Sequence, residues 1–168
     1  MFYHHLVAFV AILIGGWLTD RFVRIMPRFR LALQILSLLC GAVALLFIGR
    51  VGSYAAAVVL TAAYGLFRGL FEVNTHASGF DVISSRHHAS VVGFMLLLAM
   101  FTGALFAGEL IGRILARFDG ADGCFIVFAL MASTYLLAAI LMCVSFFFTF
   151  KKDSIVKLFK IYYQVRVD

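Results

Sequence analysis

The chain is 168 residues long, 64% hydrophobic and only 13% charged, with a net charge of +6 and a mean hydropathy of +1.07. A water-soluble domain is usually about 45 to 50% apolar and about 25% charged, so this composition excludes one and points to a membrane protein. The 14 Lys and Arg stand in clusters between apolar runs rather than on one arm, which argues against a nucleic-acid partner and for loops beside a lipid bilayer.

A membrane span needs about 20 predominantly apolar residues, and five segments meet that requirement. The first covers residues 2–19. It holds His4 and His5 near its start and ends in GGWLTDRFVR, where Asp20 and Arg21 arrive together with Arg24 behind them. No basic stretch precedes Phe2, so a cleavable signal peptide is not expected. Pro27, the single proline, interrupts any helix joining the first two spans and predicts a turn there.

The second span, residues 31–49, is the most uniformly apolar. The third, residues 53–75, is less so, because Arg68, Glu72 and Asn74 lie inside it. A charge at that depth is costly, on the order of 2.5 to 3.5 kcal/mol, unless it meets a partner or a polar cavity. Glu72 is one helical turn from Arg68, the spacing of an ion pair. Two readings stay open: mutual neutralisation near the membrane edge, or an Arg68 that faces a cavity and attracts an anion, with Glu72 or Asn74 adjusting it.

The fourth span covers residues 89–112, with Glu109 one turn before Arg113. Glu109 is either a proton-coupling carboxylate or half of an interfacial salt bridge, and the pairing favours the salt bridge. The fifth span, residues 124–150, is long and uncharged. Residues 1–150 therefore form an all-α polytopic transmembrane bundle, followed by a basic tail at residues 151–168 that can lie on a leaflet as a short amphipathic helix. Glycines four apart, such as Gly65 and Gly69, are expected to let helix backbones approach closely.

With connections alternating between faces, ten Lys and Arg fall on one side (the Asp20 loop, the Arg86 loop and the tail). Arg50, Arg113 and Arg117 fall on the other. The bias of positive charge toward the cytoplasm puts the Asp20 loop and the C-terminus inside and the start of the chain outside. Five spans with so abrupt a start read as a six-span unit lacking its first helix. An acid at a helix C-terminus opposes the macrodipole, so Asp20 needs an outside partner; the start of the fourth span, near Ala89 and Ser90, is the expected one.

Other chemistry is less well supported. His4 and His5, like His87 and His88, are adjacent and so splay about 100° apart on a helix, which disfavours a metal site. Cys40, Cys124 and Cys143 show no CxxC spacing. Ser78, Ser84 and Ser85 with His76, His87 and His88 gather near one loop without a G-x-S-x-G or HExxH motif, so no enzyme is expected.

Gly16, Asp20, Arg21 and Arg24 form G-x-x-x-D-R-x-x-R, which resembles the loop motif G-x-x-x-D-[RK]-x-G-[RK] of the major facilitator superfamily. Val23 stands where that motif has glycine, as in its weaker second copy. The stretch FDVISSRHHASVVG resembles the D-x-x-x-x-R-x-x-A-x-x-x-G connection between helices ten and eleven of that family. The resemblance covers nearly all of the chain and implies helices eight to twelve of a twelve-helix secondary transporter, an incomplete C-terminal half. It implies a small organic solute moved by alternating access, a coupling cation such as a proton or sodium, a missing N-terminal half as partner, and no bound cofactor. For Gly16, Asp20, Arg21 and Arg24 it implies a gate on the inner side; for Arg68, Glu72 and Asn74, a substrate site, with an organic or sugar acid favoured by the positive charge. The alternative is a small structural or partner-dependent membrane protein.

Overall fold

A computed structural model describes residues 2–23, 25, 26, 28–82, 85–118 and 120–148. Among these the fold is helical throughout: α1 Phe2–Val23, α2 Phe29–Ile48, α3 Tyr54–Val82, a 3-10 turn Ser85–His87, α4 His88–Phe101, a π-helical segment Thr102–Ala107, α5 Gly108–Arg117 and α6 Gly120–Phe148. Four of the helices, α1, α2, α3 and α6, are long and apolar enough to cross a membrane. At about 1.5 Å per residue, the 20 residues of α2 match a hydrocarbon core of roughly 30 Å.

Helices four to six follow from local chemistry. Thr102 donates its hydroxyl to the carbonyl oxygens of Leu98, at 2.7 Å, and Ala99, at 3.4 Å. A side chain that competes for backbone acceptors loosens the regular ladder, and the wider π turn begins at this residue. The expected fourth span is thus a rod over residues 88–117 made of α4, the π segment and α5. Gly120 adopts φ +61°, a left-handed conformation that glycine takes without strain, and this turn starts α6.

The long helices lie on apolar runs of the sequence, with two differences: the run at residues 89–112 is divided among α4, the π segment and α5, and α3 runs past residue 75. Residues 76–82, expected in a connection, continue the helix to Val82, because Thr75 and Ser78 find hydrogen-bond partners on α2. Pro27, residues 149 and 150 of the fifth expected span, and the tail at residues 151–168 lie outside the described residues.

The spans pack in a row, α1 on α3, α3 on α2 and α2 on α6. Gly65 and Gly69 of α3 face the backbone of α1: a Cβ on either would stand 2.5 Å from the carbonyl oxygen of His4 or of Ala8, respectively. Only glycine permits this approach, and the register of His4 on Gly65 and Ala8 on Gly69 makes α1 and α3 parallel. Between α2 and α6, Ala42, Leu45 and Ala132 are buried, with Phe128, Tyr135 and Tyr64 of α3 packed against them. Arg28 lies over the Phe146 ring, and Arg50 over Phe125 at the opposite end, so α2 and α6 are antiparallel.

The pattern of burial is that of a protein dissolved in lipid. Gln34, Ser37, Asn74, Thr19 and His4 are buried, while Phe9, Leu13, Ile14 and Trp17 of α1 face outward. In lipid, apolar side chains gain nothing by hiding, whereas polar groups must find partners inside the protein. The rod of α4 and α5 contains no buried residue. It meets α3 where Phe80 stacks on His88 at 4.5 Å, and α6 where Gly123 abuts Phe118 and Leu115.

Candidate functional site

Arg68 is the middle residue of α3, and Tyr135 lies one residue from the middle of α6. A charge midway along a helix that can span a membrane is costly unless a partner or a polar cavity meets it. Tyr64, Arg68 and Glu72 recur at four-residue intervals and so project from one stripe of α3. The close crossing at Gly65 brings His4 of α1 to the same stripe.

Arg68 Nη1 is 2.9 Å from His4 Nε2. A guanidinium only donates hydrogen bonds, so this imidazole nitrogen is the acceptor and His4 is neutral with its proton on Nδ1. Nδ1 is buried and has no hydrogen-bond partner among the described residues; it faces the glycine notch, 3.1 Å from where a Cβ of Gly65 would stand. The other side of the guanidinium behaves differently. Its Nε is 3.9 Å from Glu72 Oε2, with the two side chains 43% and 50% exposed. That is an ion pair too long for a hydrogen bond, so the pairing expected from the sequence is present but loose.

The His4 ring stacks on Tyr64 with centroids 5.3 Å apart and planes 12° apart. The Tyr64 hydroxyl is 2.8 Å from that of Tyr135. His4, Tyr64, Arg68, Glu72 and Tyr135 thus form one polar chain across α1, α3 and α6. Asn74 does not join it. It is 1% exposed, donates to the Leu70 carbonyl at 2.7 Å, and sits six residues from Arg68, which places it about 120° around the helix.

A second polar seam joins α2 and α3. Gln34, fully buried, donates from Nε2 to Thr75 Oγ1 and accepts at Oε1 from Ser78 Oγ, both at 3.3 Å. Thr75 passes its own proton to the Phe71 carbonyl. These contacts give Gln34 a partner on each end of its amide, which is what allows an amide to be buried at all.

At the end of α1, Asp20 pairs with Arg30 of the first turn of α2 at 3.4 Å, its side chain 76% exposed. The expected dock on the start of the fourth span is not the partner observed: α1 packs on α3, with a minor contact to α2. Gly16 faces Val73 of α3, and Arg21 lies over the Trp17 ring; Arg24 is outside the described residues. Glu109 and Arg113 form a 2.5 Å ion pair on exposed turns of α5. Among the described residues no three His, Cys, Asp or Glu side chains cluster as metal ligands.

Arg68 and Glu72 stand out in the sequence, whereas Tyr64, Tyr135 and His4 do not mark themselves as their neighbours. Tyr64 is signalled only by its position, one turn before Arg68 on the same stripe. His4 and Tyr135 lack even that signal, since 64 and 71 residues separate them from their partners. No protein-family model matches the chain, and no curated protein or solved structure matches it.

Proposed function

We propose that the chain is the C-terminal part of a major facilitator type secondary transporter that moves a small organic anion by alternating access. The observation that carries this reading is an arginine at the centre of a spanning helix, hydrogen-bonded to a neutral histidine and only loosely paired with Glu72. Such a residue is costly in lipid unless a partner or a polar cavity meets it, and here its partners leave guanidinium donors unsaturated. On this reading an N-terminal half closes the other side of the cavity, a proton or sodium ion couples transport, and the carboxylate of an organic or sugar acid meets Arg68. The Asp20 end and the C-terminus face the cytoplasm of a cell-membrane protein, and the pair of Asp20 with Arg30 ties α1 to α2 in the closed state of an inner gate. Asn74 then supports the packing of α3 rather than the substrate.

Uptake of radiolabelled organic acids by proteoliposomes tests it. The chain alone is expected to give no uptake above empty liposomes. Together with the N-terminal half encoded upstream in its reading frame it is expected to transport, and Arg68→Gln to lower kcat/KM at least about tenfold, the scale of a lost charge-assisted contact. Unchanged uptake by Arg68→Gln, or no transport by the joined halves, overturns the reading.

A second reading, a membrane protein that works only against a protein partner, is favoured by one observation: α4 and α5 contain no buried residue. Loss of the joined halves' uptake with retention of a stable complex supports that alternative.

A further inference from the structure

We propose that Glu72 is a built-in competitor for the anion site, holding the carboxylate-binding edge of Arg68 until a ligand carboxylate replaces it. The inference rests on the anion reading given above and goes beyond it by assigning Glu72 the role of setting affinity. A guanidinium offers two edges to a planar acceptor, and a carboxylate takes one of them through two parallel hydrogen bonds. In this protein Nη1 is already committed to His4 at 2.9 Å, which fixes the plane and rotamer of Arg68. The edge containing Nε is turned toward Glu72, but at 3.9 Å no hydrogen bond forms. Glu72 therefore neutralises the guanidinium at long range without saturating its donors.

The order of the pair accounts for the long contact: Arg68 precedes Glu72 by one turn on the same helix, and a base N-terminal to its acid is the less favourable orientation of an i,i+4 pair. An unattached carboxylate is free of that restriction and meets the edge in plane. Both side chains are half exposed, so the exchange needs no unfolding: the ligand takes the Nε edge, and the Glu72 carboxylate swings off it. One half-exposed cationic edge suits a small water-soluble organic acid with one carboxylate to present. The same loose pair also serves the empty state, since a bare cation at this depth is costly.

The test is equilibrium binding of radiolabelled benzoate to the purified chain in nanodiscs, in carboxylate-free buffer, with benzamide as the uncharged counterpart. Wild type, Arg68→Gln, Glu72→Gln and Glu72→Ala are compared after their helicity and monodispersity are shown to match. Glu72→Gln and Glu72→Ala are expected to bind benzoate roughly 1.5- to fivefold more tightly than wild type, the range for release of a partly exposed ion pair. Arg68→Gln is expected to lose saturable binding, and benzamide not to compete. Saturable binding that needs Arg68 but is equal or weaker in both Glu72 variants overturns the competitor role while leaving the anion reading standing. Absence of Arg68-dependent binding in every variant overturns the competitor role, and together with unchanged uptake by Arg68→Gln in the joined halves it overturns the anion reading as well.

Discussion

The hydroxyls of Tyr64 and Tyr135 meet at 2.8 Å, joining α3 to α6 over the face of α2. Gly41 of α2 makes this possible, because the Tyr135 ring edge lies 3.2 Å from where its Cβ would be. This hydrogen bond links two helices that both pack on α2. Replacing either tyrosine by phenylalanine is expected to destabilise the bundle by roughly 0.6 to 1.5 kcal/mol. A double-mutant cycle followed by unfolding in mixed micelles should show the two losses to be non-additive, because each single change removes the same bond. Additive losses count against a direct pairing.

Gly65→Ala and Gly69→Ala place a methyl against the α1 backbone, where no flexible side chain can yield. Each is expected to cost about 1 to 3 kcal/mol and to separate α1 from α3. Gly103→Ala is the control: nothing lies within 4 Å of its would-be Cβ, and its effect should stay within about 0.5 kcal/mol. Equal melting of all three variants contradicts the close crossing.

Gln34→Leu removes the bridge to Thr75 and Ser78. Thr75 keeps its bond to the Phe71 carbonyl, so the main cost is a Ser78 hydroxyl left without its acceptor on α2, about 1 to 2 kcal/mol. Adding Ser78→Ala should recover part of that loss, since both ends of the contact are then apolar. A further loss in the double variant disproves the seam.

Asp20→Asn separates a gate from a structural tie. The pair with Arg30 is long and its carboxylate largely exposed, so stability should change by no more than about 0.5 kcal/mol. Transport by the joined halves should nevertheless slow several-fold if the pair holds a closed state. A fall in stability that matches the fall in transport points to a structural tie instead.

Apolar runs mark the four long helices, because span length is set by the bilayer, whereas the division of residues 88–117 into α4, the π segment and α5 leaves no mark in hydropathy. The error at α3 has the same origin. Its final turns, with Thr75 and Ser78, look like a connection by composition, and only their bonding to Gln34 shows why they stay helical. For the site, helical spacing predicted the meeting of Arg68 and Glu72, and the same arithmetic separates Asn74 from them. The engagement of Arg68 by His4 was not legible. It depends on α1 packing against α3, and neither residue advertises the other. The partner of Asp20 was misjudged for a related reason: the argument from helix ends identified a kind of partner, while the chain supplied a nearer cation in Arg30.

The order in which the helices pack differs from the order in which they are made. The first helix finds its main neighbour in the third, and the second is covered on one side by the sixth. When α1 and α2 leave the ribosome as a hairpin, the Ala8 and Ala11 surface has no Gly65 or Gly69 to receive it, and Gln34 has no Thr75 or Ser78. During biogenesis the early helices must therefore wait in the membrane with unmatched polar groups, and α2 reaches its native surroundings only after α6 has been inserted. A lateral exit that holds several helices together until then, or a chaperone that shields the Gln34 face, suits this chain better than release one helix at a time.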